Sequence, residues 1–303
     1  MSMQRLSASM LAVFAAVAQA AIHVDDAGRA VEFAAPARRV ITLAPSLTEF
    51  VYAVDAGSAL VGTMDTSNYP AAAKRVPRIG DYQRLDVERI VALKPDLILV
   101  WQHGNQGREL AQLEAAGLRL FYLEPRRLDD VARALLRVGA LLGRDSAAEA
   151  RAAVLRREIA ALRDRHATAA PVSVFFQVWS QPLMTLNDQH LTSDVMALCG
   201  GHNVFGALAA LAPQLSVESV VAADPEVMFT ASEFSSDGPS WRRDSKHPAF
   251  AMWQPFSKLT AVRRGWMYSL SGDLITRQGP RIVDGARAVC AVLDEVRRQR
   301  GKP

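Results

Sequence analysis

Val87-Glu-Arg-Ile-Val-Ala-Leu-Lys-Pro-Asp-Leu-Ile-Leu-Val100 returns, in pattern, as Val217-Glu-Ser-Val-Val-Ala-Ala-Asp-Pro-Glu-Val-Met-Phe-Thr230. Each copy follows a residue able to cap a helix, Asp86 or Ser216, and sets a glutamate in the first turn of a short apolar helix. A proline then stops the helix, and an apolar run reads as a buried strand. Proline removes a backbone donor and disfavours helical geometry in the residue before it, so the helices are predicted to end by Lys94 and Asp224. The strands follow at Leu97–Trp101 and Val227–Thr230. A helix feeding a strand once in each half predicts an α/β chain of two Rossmann-like lobes with a ligand cleft between them.

The rest of the chain fills in around the repeat. In the first half, strands are predicted at Val40–Leu43, Leu60–Gly62 and Leu118–Leu123, and helices at Leu47–Val54, Arg108–Ala116 and Leu128–Leu142. Ser146-Ala-Ala-Glu149 has the spacing of a capping box and opens a helix with Ala148, Ala152, Leu155, Ile159 and Leu162 on one face. A helix of roughly twenty residues spans about 30 Å, enough to act as a stiff strut between lobes. The expected division is a signal at 1–20, a first lobe at 21–143, a linker helix at 144–168 and a second lobe at 169–303. The second lobe is predicted to carry strands at Val172–Val178 and Met267–Leu270, a surface loop at Ser235–Asp244 and a helix at Arg281–Arg297.

Arg5, the apolar run Leu6–Val17 and the small residues Ala18-Gln19-Ala20 read as an export signal, with the mature chain expected to begin at Ala21. The run is too short to span a bilayer, and no cysteine near Ala20 offers a lipid attachment point, so a soluble periplasmic protein is expected. Loss of Arg5 leaves 34 basic against 31 acidic residues, and the arginines are scattered along helices, as at Arg133, Arg137, Arg156 and Arg163. That pattern argues against a nucleic-acid footprint. Cys199 and Cys290 are the two cysteines; in an oxidising compartment an even pair favours a disulfide over two buried thiols.

No nucleophile elbow, phosphate loop or dinucleotide fingerprint is present, so catalysis is not expected. The six histidines include no i, i+3 or i, i+4 pair, and no metal site or cofactor is predicted. Tyr82, Trp101 and Trp179 stand at strand ends or in turns, where open α/β sheets bind ligands, and would suit a large, flat, partly apolar molecule. Glu88 and Glu218 admit two readings. First-turn carboxylates offset the helix dipole, by about 0.3–1 kcal/mol; alternatively they mark corresponding points on two lobes, able to meet one basic residue on each subunit of a two-fold symmetric partner.

In Arg39-Val-Ile-Thr-Leu43, Asn68-Tyr-Pro70, Val87–Asp96, Cys199-Gly-Gly-His-Asn-Val-Phe205 and Gly279-Pro-Arg-Ile282, nearly the whole mature chain resembles the helical-backbone family of periplasmic solute-binding proteins. That family serves ABC importers of vitamin B12, haem and iron-siderophores, and the likeness is to its cobalamin-binding branch. The resemblance implies that Glu88 and Glu218 dock onto arginines of a permease dimer at the inner membrane and that Cys199 pairs with Cys290. It implies ligand contacts at Ser46, Thr66, Tyr82, Trp101, Trp179 and the loop from Asp273 to Arg277, with a monomer expected. Thr66 replaces a tyrosine of the family pattern, a tryptophan expected near Ala212 is missing, and Leu274-Ile275-Thr276 is less aromatic. The expected function is capture of cobalamin or a related corrinoid, with haem or a siderophore as the alternative, haem with Tyr82 or His103 as an iron ligand. A secreted hydrolase or corrinoid-processing enzyme using Asp273 and a histidine is the third reading.

Overall fold

The computed structural model describes residues 21–105, 107–233 and 240–300; the predicted export signal at 1–20 lies outside the described residues. A hairpin of β1 (Ala21–Val24) and β2 (Ala30–Phe33) leads into the first lobe. There β3 (Val40–Thr42), α1 (Pro45–Ala53), β4 (Leu60–Thr63), α2 (Val87–Ala92), β5 (Leu97–Trp101), α3 (Gly107–Ala115), β6 (Leu120–Leu123) and α4 (Leu128–Leu142) follow in turn. The sheet is parallel, in the order β4-β3-β5-β6. After α5 (Asp145–His166), the second lobe brings β7 (Val172–Gln177), β8 (Trp179–Ser180), β9 (Leu183–Met184), α6 (Leu191–Leu198), β10 (Gly201–Asn203), α7 (Val217–Ala223) and β11 (Val227–Ser232). It closes with β12 (Trp241–Arg243), α8 (Thr260–Arg264), β13 (Met267–Ser271), α9 (Gly272–Ile275) and α10 (Ile282–Gln299). Its sheet runs β10-β7-β11-β13-β12, parallel except for the edge strand β12.

The repeated stretch folds alike in both lobes. Asp86 accepts the Arg89 N–H at 2.9 Å and Ser216 accepts the Ser219 N–H at 3.2 Å, so each helix start has a side-chain cap. Ile90 and Val220 are the residues each helix buries. Lys94 and Asp224, one place before each proline, take positive φ of 47° and 39°. Each helix is therefore turned away before its proline and fed into the next strand.

One buried cluster runs from the first sheet to the second, through Leu97 and Phe121, Leu135 of α4, Leu155 of α5, Val195 of α6, Val289 of α10, and Val174 and Phe229. Separating the lobes along this path would expose apolar surface, at about 25 cal/mol per Å². The other sheet faces carry separate clusters, one around Ile41, Ile90 and Leu113 and one around Phe175, Val220 and Trp253. Helix α5 buries Ala148, Ala152, Leu155 and Ile159, with Leu162 half-buried against the same core.

Three local expectations are corrected. The Ser146–Glu149 capping box does not form: α5 begins at Asp145, and no side chain caps its end. Gly143, in the left-handed region at φ 61°, joins α4 to α5 in two residues, which places Ser146 inside the first turn. The predicted loop Ser235–Asp244 ends in strand β12, because Trp241–Arg243 pair with Tyr268–Leu270; residues 234–239 lie outside the described residues. The predicted loop from Asp273 to Arg277 starts within the helical turn α9, with Ile275 buried in the core.

Cys199, the residue capping α6, and Cys290 of α10 form a disulfide across 91 positions, so the disulfide of the two alternatives is the one present. Both residues are buried.

Candidate ligand cleft

The seam between the lobes is built on Glu49. This residue sits in α1, and its side chain is only 2% exposed. Arg281 clamps it from the second lobe through two bonds, Nε to Oε2 at 2.9 Å and Nη2 to Oε1 at 2.6 Å. Arg277 donates to the same Oε1 at 3.1 Å, to Asn68 Oδ1 at 2.8 Å and to the Thr66 carbonyl at 3.4 Å, and pairs with Asp273 at 2.7 Å. Asn68 in turn donates to Asp273 at 3.4 Å, and the Arg281 guanidinium lies 3.9 Å from the centre of the Tyr69 ring. Burial disfavours the charge on Arg281, yet bonding to Glu49 outweighs it and holds the guanidinium above its ordinary range. Ser46 is buried at the start of α1 beneath Gly279, where a β-carbon would touch its side chain.

Of the sequence-predicted ligand residues, Ser46, Thr66, Asp273 and Arg277 therefore meet at this seam. Arg277 spends its donors on protein, and Asp273 keeps the more exposed side chain. Glu49, Asn68, Tyr69 and Arg281 belong to the same network, and of these four Glu49 alone lies outside the motifs read along the sequence. The one available signal was a glutamate set among Leu47, Phe50 and Val51 in an otherwise apolar helix.

Beneath the seam, Thr42, Thr48, Thr63 and Ser67 join their buried hydroxyls at 2.6–3.0 Å and tie β3, α1 and β4 together.

The aromatic residues occupy the carboxyl ends of both sheets. Tyr82 is 67% exposed at the tip of a turn closed by Gly80 and Leu85. Gly80 has φ 112°, and a β-carbon there would strike the Arg84 carbonyl, so this turn requires glycine. Trp179 is 62% exposed in the hairpin β8–β9, with its indole N–H bonded to the Gln181 carbonyl at 2.8 Å. Buried Gln177 pins that hairpin by donating to Ser180 Oγ and the Ala249 carbonyl, and by accepting the Trp253 indole N–H. A cavity of about 460 Å³ opens beside Trp179, lined also by Thr230, Ala231 and His247. Trp101 differs from the other two: its ring is half-buried, packed on Gly104 and against the core.

His190 is the N-terminal cap of α6, where Nδ1 accepts the Thr192 N–H at 3.1 Å. Burial, aided by the positive charge of Arg126, lowers its pKa to about 4. With Nδ1 accepting, the proton resides on Nε2, which needs an acceptor. Gln278 places its amide nitrogen 3.4 Å away while its Oε1 is buried without a partner among the described residues; turning the amide over lets Oε1 accept the His190 Nε2–H. Because the folded state keeps His190 neutral while the unfolded chain takes up a proton near 6.5, stability is full above that pH. It is lost as pH falls from about 6.5 towards 4, by about 3 kcal/mol. Urea unfolding of wild type and His190→Asn, which keeps a capping acceptor, checks this: the variant should lose less stability between neutral pH and pH near 4. Equal losses would refute it.

Glu88 and Glu218 are both exposed. Each stands in the first turn of a helix that precedes its strand in a parallel sheet, which puts both at the strand-carboxyl end of their lobes. The backbone N–H of Glu218, joined by the Ser216 hydroxyl, lowers its carboxyl pKa and keeps the charge.

Comparison with known proteins places this architecture. A vitamin B12-binding protein of Vibrio parahaemolyticus is 34% identical over 265 residues, 88% of this chain and 92% of the relative. One from Yersinia pestis is 36% identical over 261 residues, covering 86% and 88%. The crystal structure of the periplasmic vitamin B12-binding protein BtuF of Vibrio cholerae superposes with a TM-score of 0.77 at 32% identity, over 87% of this chain and 99% of that one. A periplasmic heme-binding protein from Pseudomonas aeruginosa gives a TM-score of 0.70 at 26% identity, covering 84% and 92%. Residues 40–274 match the model of the periplasmic binding protein family, and with two α/β lobes meeting over a polar seam, the chain belongs to that family.

Proposed function

We propose that this protein captures vitamin B12 or a related corrinoid between its lobes in the periplasm and presents it to the permease dimer of an ABC importer, without catalysing a reaction. One observation carries the reading: each lobe sets an exposed ring, Tyr82 or Trp179, at its sheet's carboxyl end, on either side of a seam rich in hydrogen-bonding groups. A corrinoid has a flat apolar ring edged with amides. The rings would bury its faces, while Asp273 and the Thr66 loop would take its amide N–H groups. The names of the relatives support the same ligand. Ser46, Trp101 and Arg277 act chiefly by shaping the wall, and Glu88 and Glu218 are the docking points for permease arginines. Because the core is continuous between the lobes, capture proceeds with little lobe closure, and the protein works as a monomer.

Haem is the second reading, favoured by exposed His103 and by the heme-binding relative. Calorimetric titration separates the two. Cyanocobalamin should bind at micromolar or tighter affinity, and Trp179→Ala should weaken it roughly tenfold or more, since a buried aromatic ring contributes about 1.5–3 kcal/mol. Binding of haemin alone would overturn the corrinoid assignment.

A further inference from the structure

Two residues beyond Trp101, the chain presents an imidazole of defined orientation. His103 is 46% exposed, and its ring Nδ1 lies 3.2 Å from Glu124 Oε2. The His103 backbone N–H donates to the same oxygen at 3.1 Å, so ring and main chain are anchored at one point. Glu124 is buried just past β6, and its other oxygen has no partner among the described residues, so the side chain's hydrogen bonding is given to His103. The turn beneath is fixed as well. Asn105 Oδ1 accepts the Trp101 N–H and Asn105 Nδ2 donates to the Leu43 carbonyl, both at 2.8 Å.

The tautomer follows from the neighbours. Arg126 stands 3.5 Å from His103 Nε2, and a guanidinium only donates. Nε2 therefore bears the lone pair and Nδ1 carries the proton towards Glu124. Arg126 sits at the outer limit of hydrogen-bonding distance, so it holds that lone pair only loosely. A carboxylate orienting one ring nitrogen, with the other carrying the lone pair, is the arrangement seen in metal-binding histidines, and here a metal would have to displace the Arg126 contact from Nε2. The segment after β6 that carries Arg126 meets the second lobe, where the Leu128 N–H donates to Asp194 Oδ2 at 2.8 Å and Arg127 donates to the Asp188 carbonyl at 3.2 Å, and this places the His103 imidazole, 3.5 Å from Arg126, beside the contact between the lobes.

We propose that His103, oriented by Glu124, is an axial ligand for the cobalt of a bound corrinoid whose axial position holds exchangeable water. This inference rests on the corrinoid reading above. In the step, the Nε2 lone pair forms a Co–N bond and the axial water leaves intact. The imidazole keeps its Nδ1 proton and cobalt remains Co(III), so neither a proton nor an electron changes hands. The protein would thereby prefer aquo-corrinoids over forms whose axial site is blocked by cyanide.

Visible spectroscopy tests the proposal, with aquocobalamin at mildly acidic pH, where the axial ligand is water and not hydroxide. Wild-type protein should shift the spectrum to that of an imidazole-ligated corrinoid. It should leave the cyanocobalamin spectrum unchanged and bind aquocobalamin at least tenfold more tightly than His103→Ala does. His103→Ala should bind aquocobalamin with the spectrum of the free compound. Glu124→Gln, which retains the acceptor without the charge, should still shift the spectrum but with a ligated complex dissociating several-fold faster. Aquocobalamin bound by wild type with its free spectrum would overturn the proposal, as would a shift that persists in His103→Ala. If neither corrinoid binds at all, the corrinoid reading itself fails.

Discussion

Glu88→Arg combined with Glu218→Arg is expected to weaken association with the reconstituted permease by at least about a hundredfold. The reasoning starts from geometry. Both carboxylates are exposed and sit in the first turn of matching helices, one per lobe, so neither contributes to the core. Close interfacial charge pairs couple by about 1.5–7 kcal/mol, and reversal replaces attraction with repulsion at two points. At about 1.4 kcal/mol per tenfold, even the lower bound taken twice exceeds a hundredfold. Since the sites lie on different lobes, each single variant should show part of the loss and the two should add in free energy. Surface plasmon resonance against the transporter in lipid discs measures this. A double variant that associates as wild type does would eliminate the docking role and leave the glutamates as dipole-offsetting residues.

Glu49→Ala should cost about 3–5 kcal/mol of folding stability, the usual penalty for removing one partner of a buried ion pair. The carboxylate is almost wholly buried and shared by two guanidiniums from the other lobe. Its removal leaves Arg281 at the seam without its paired carboxylate, next to Arg277. Asp273 remains within reach of Arg277, at 2.7 Å, which puts the expected cost at the lower end of the range. For a chain of this size the loss corresponds to a fall in Tm of about 6–12 °C, at 2–4 °C per kcal/mol. A control isolates the cause. Glu49→Leu with Arg277→Met and Arg281→Met, which replaces the whole charged group by apolar side chains, should recover most of the stability, because the cost lies in unpaired charge. If Glu49→Ala unfolds in urea at the wild-type midpoint, the seam is not an energetic link between the lobes.

Both predictions bear on how the molecule works. A continuous apolar core and a buried ionic clamp resist separation of the lobes, so a ligand meets a preformed wall. Preorganisation lowers the ordering cost of capture. The same stiffness fixes the spacing of Glu88 and Glu218, as docking onto a symmetric partner would require.

Much of this was legible along the chain. Leu97–Trp101 and Leu128–Leu142 form at the predicted bounds, because apolar periodicity and the punctuation by proline and glycine act within a few residues. The Ser146 capping box failed for a reason equally local, a two-residue turn that left Ser146 no place outside the helix. Tyr82 was foreseen in a turn and Trp179 at a strand end, and both are exposed. Trp101 was foreseen too, but packing on Gly104 half-buried it, and no sequence pattern counts the atoms that will cover a ring.

By itself, then, the sequence determined the alternation of helix and strand, the duplicated acidic helix start, and the family likeness carried by its motifs. Only the tertiary structure decided that Glu49 would be buried and doubly paired, with partners 228 and 232 positions away, and that Arg277 would give its donors to the seam. Periodicity reports which face of an element shuns water. A charge buried against another lobe depends on three-dimensional proximity and desolvation, and neither is written in the order of neighbouring residues.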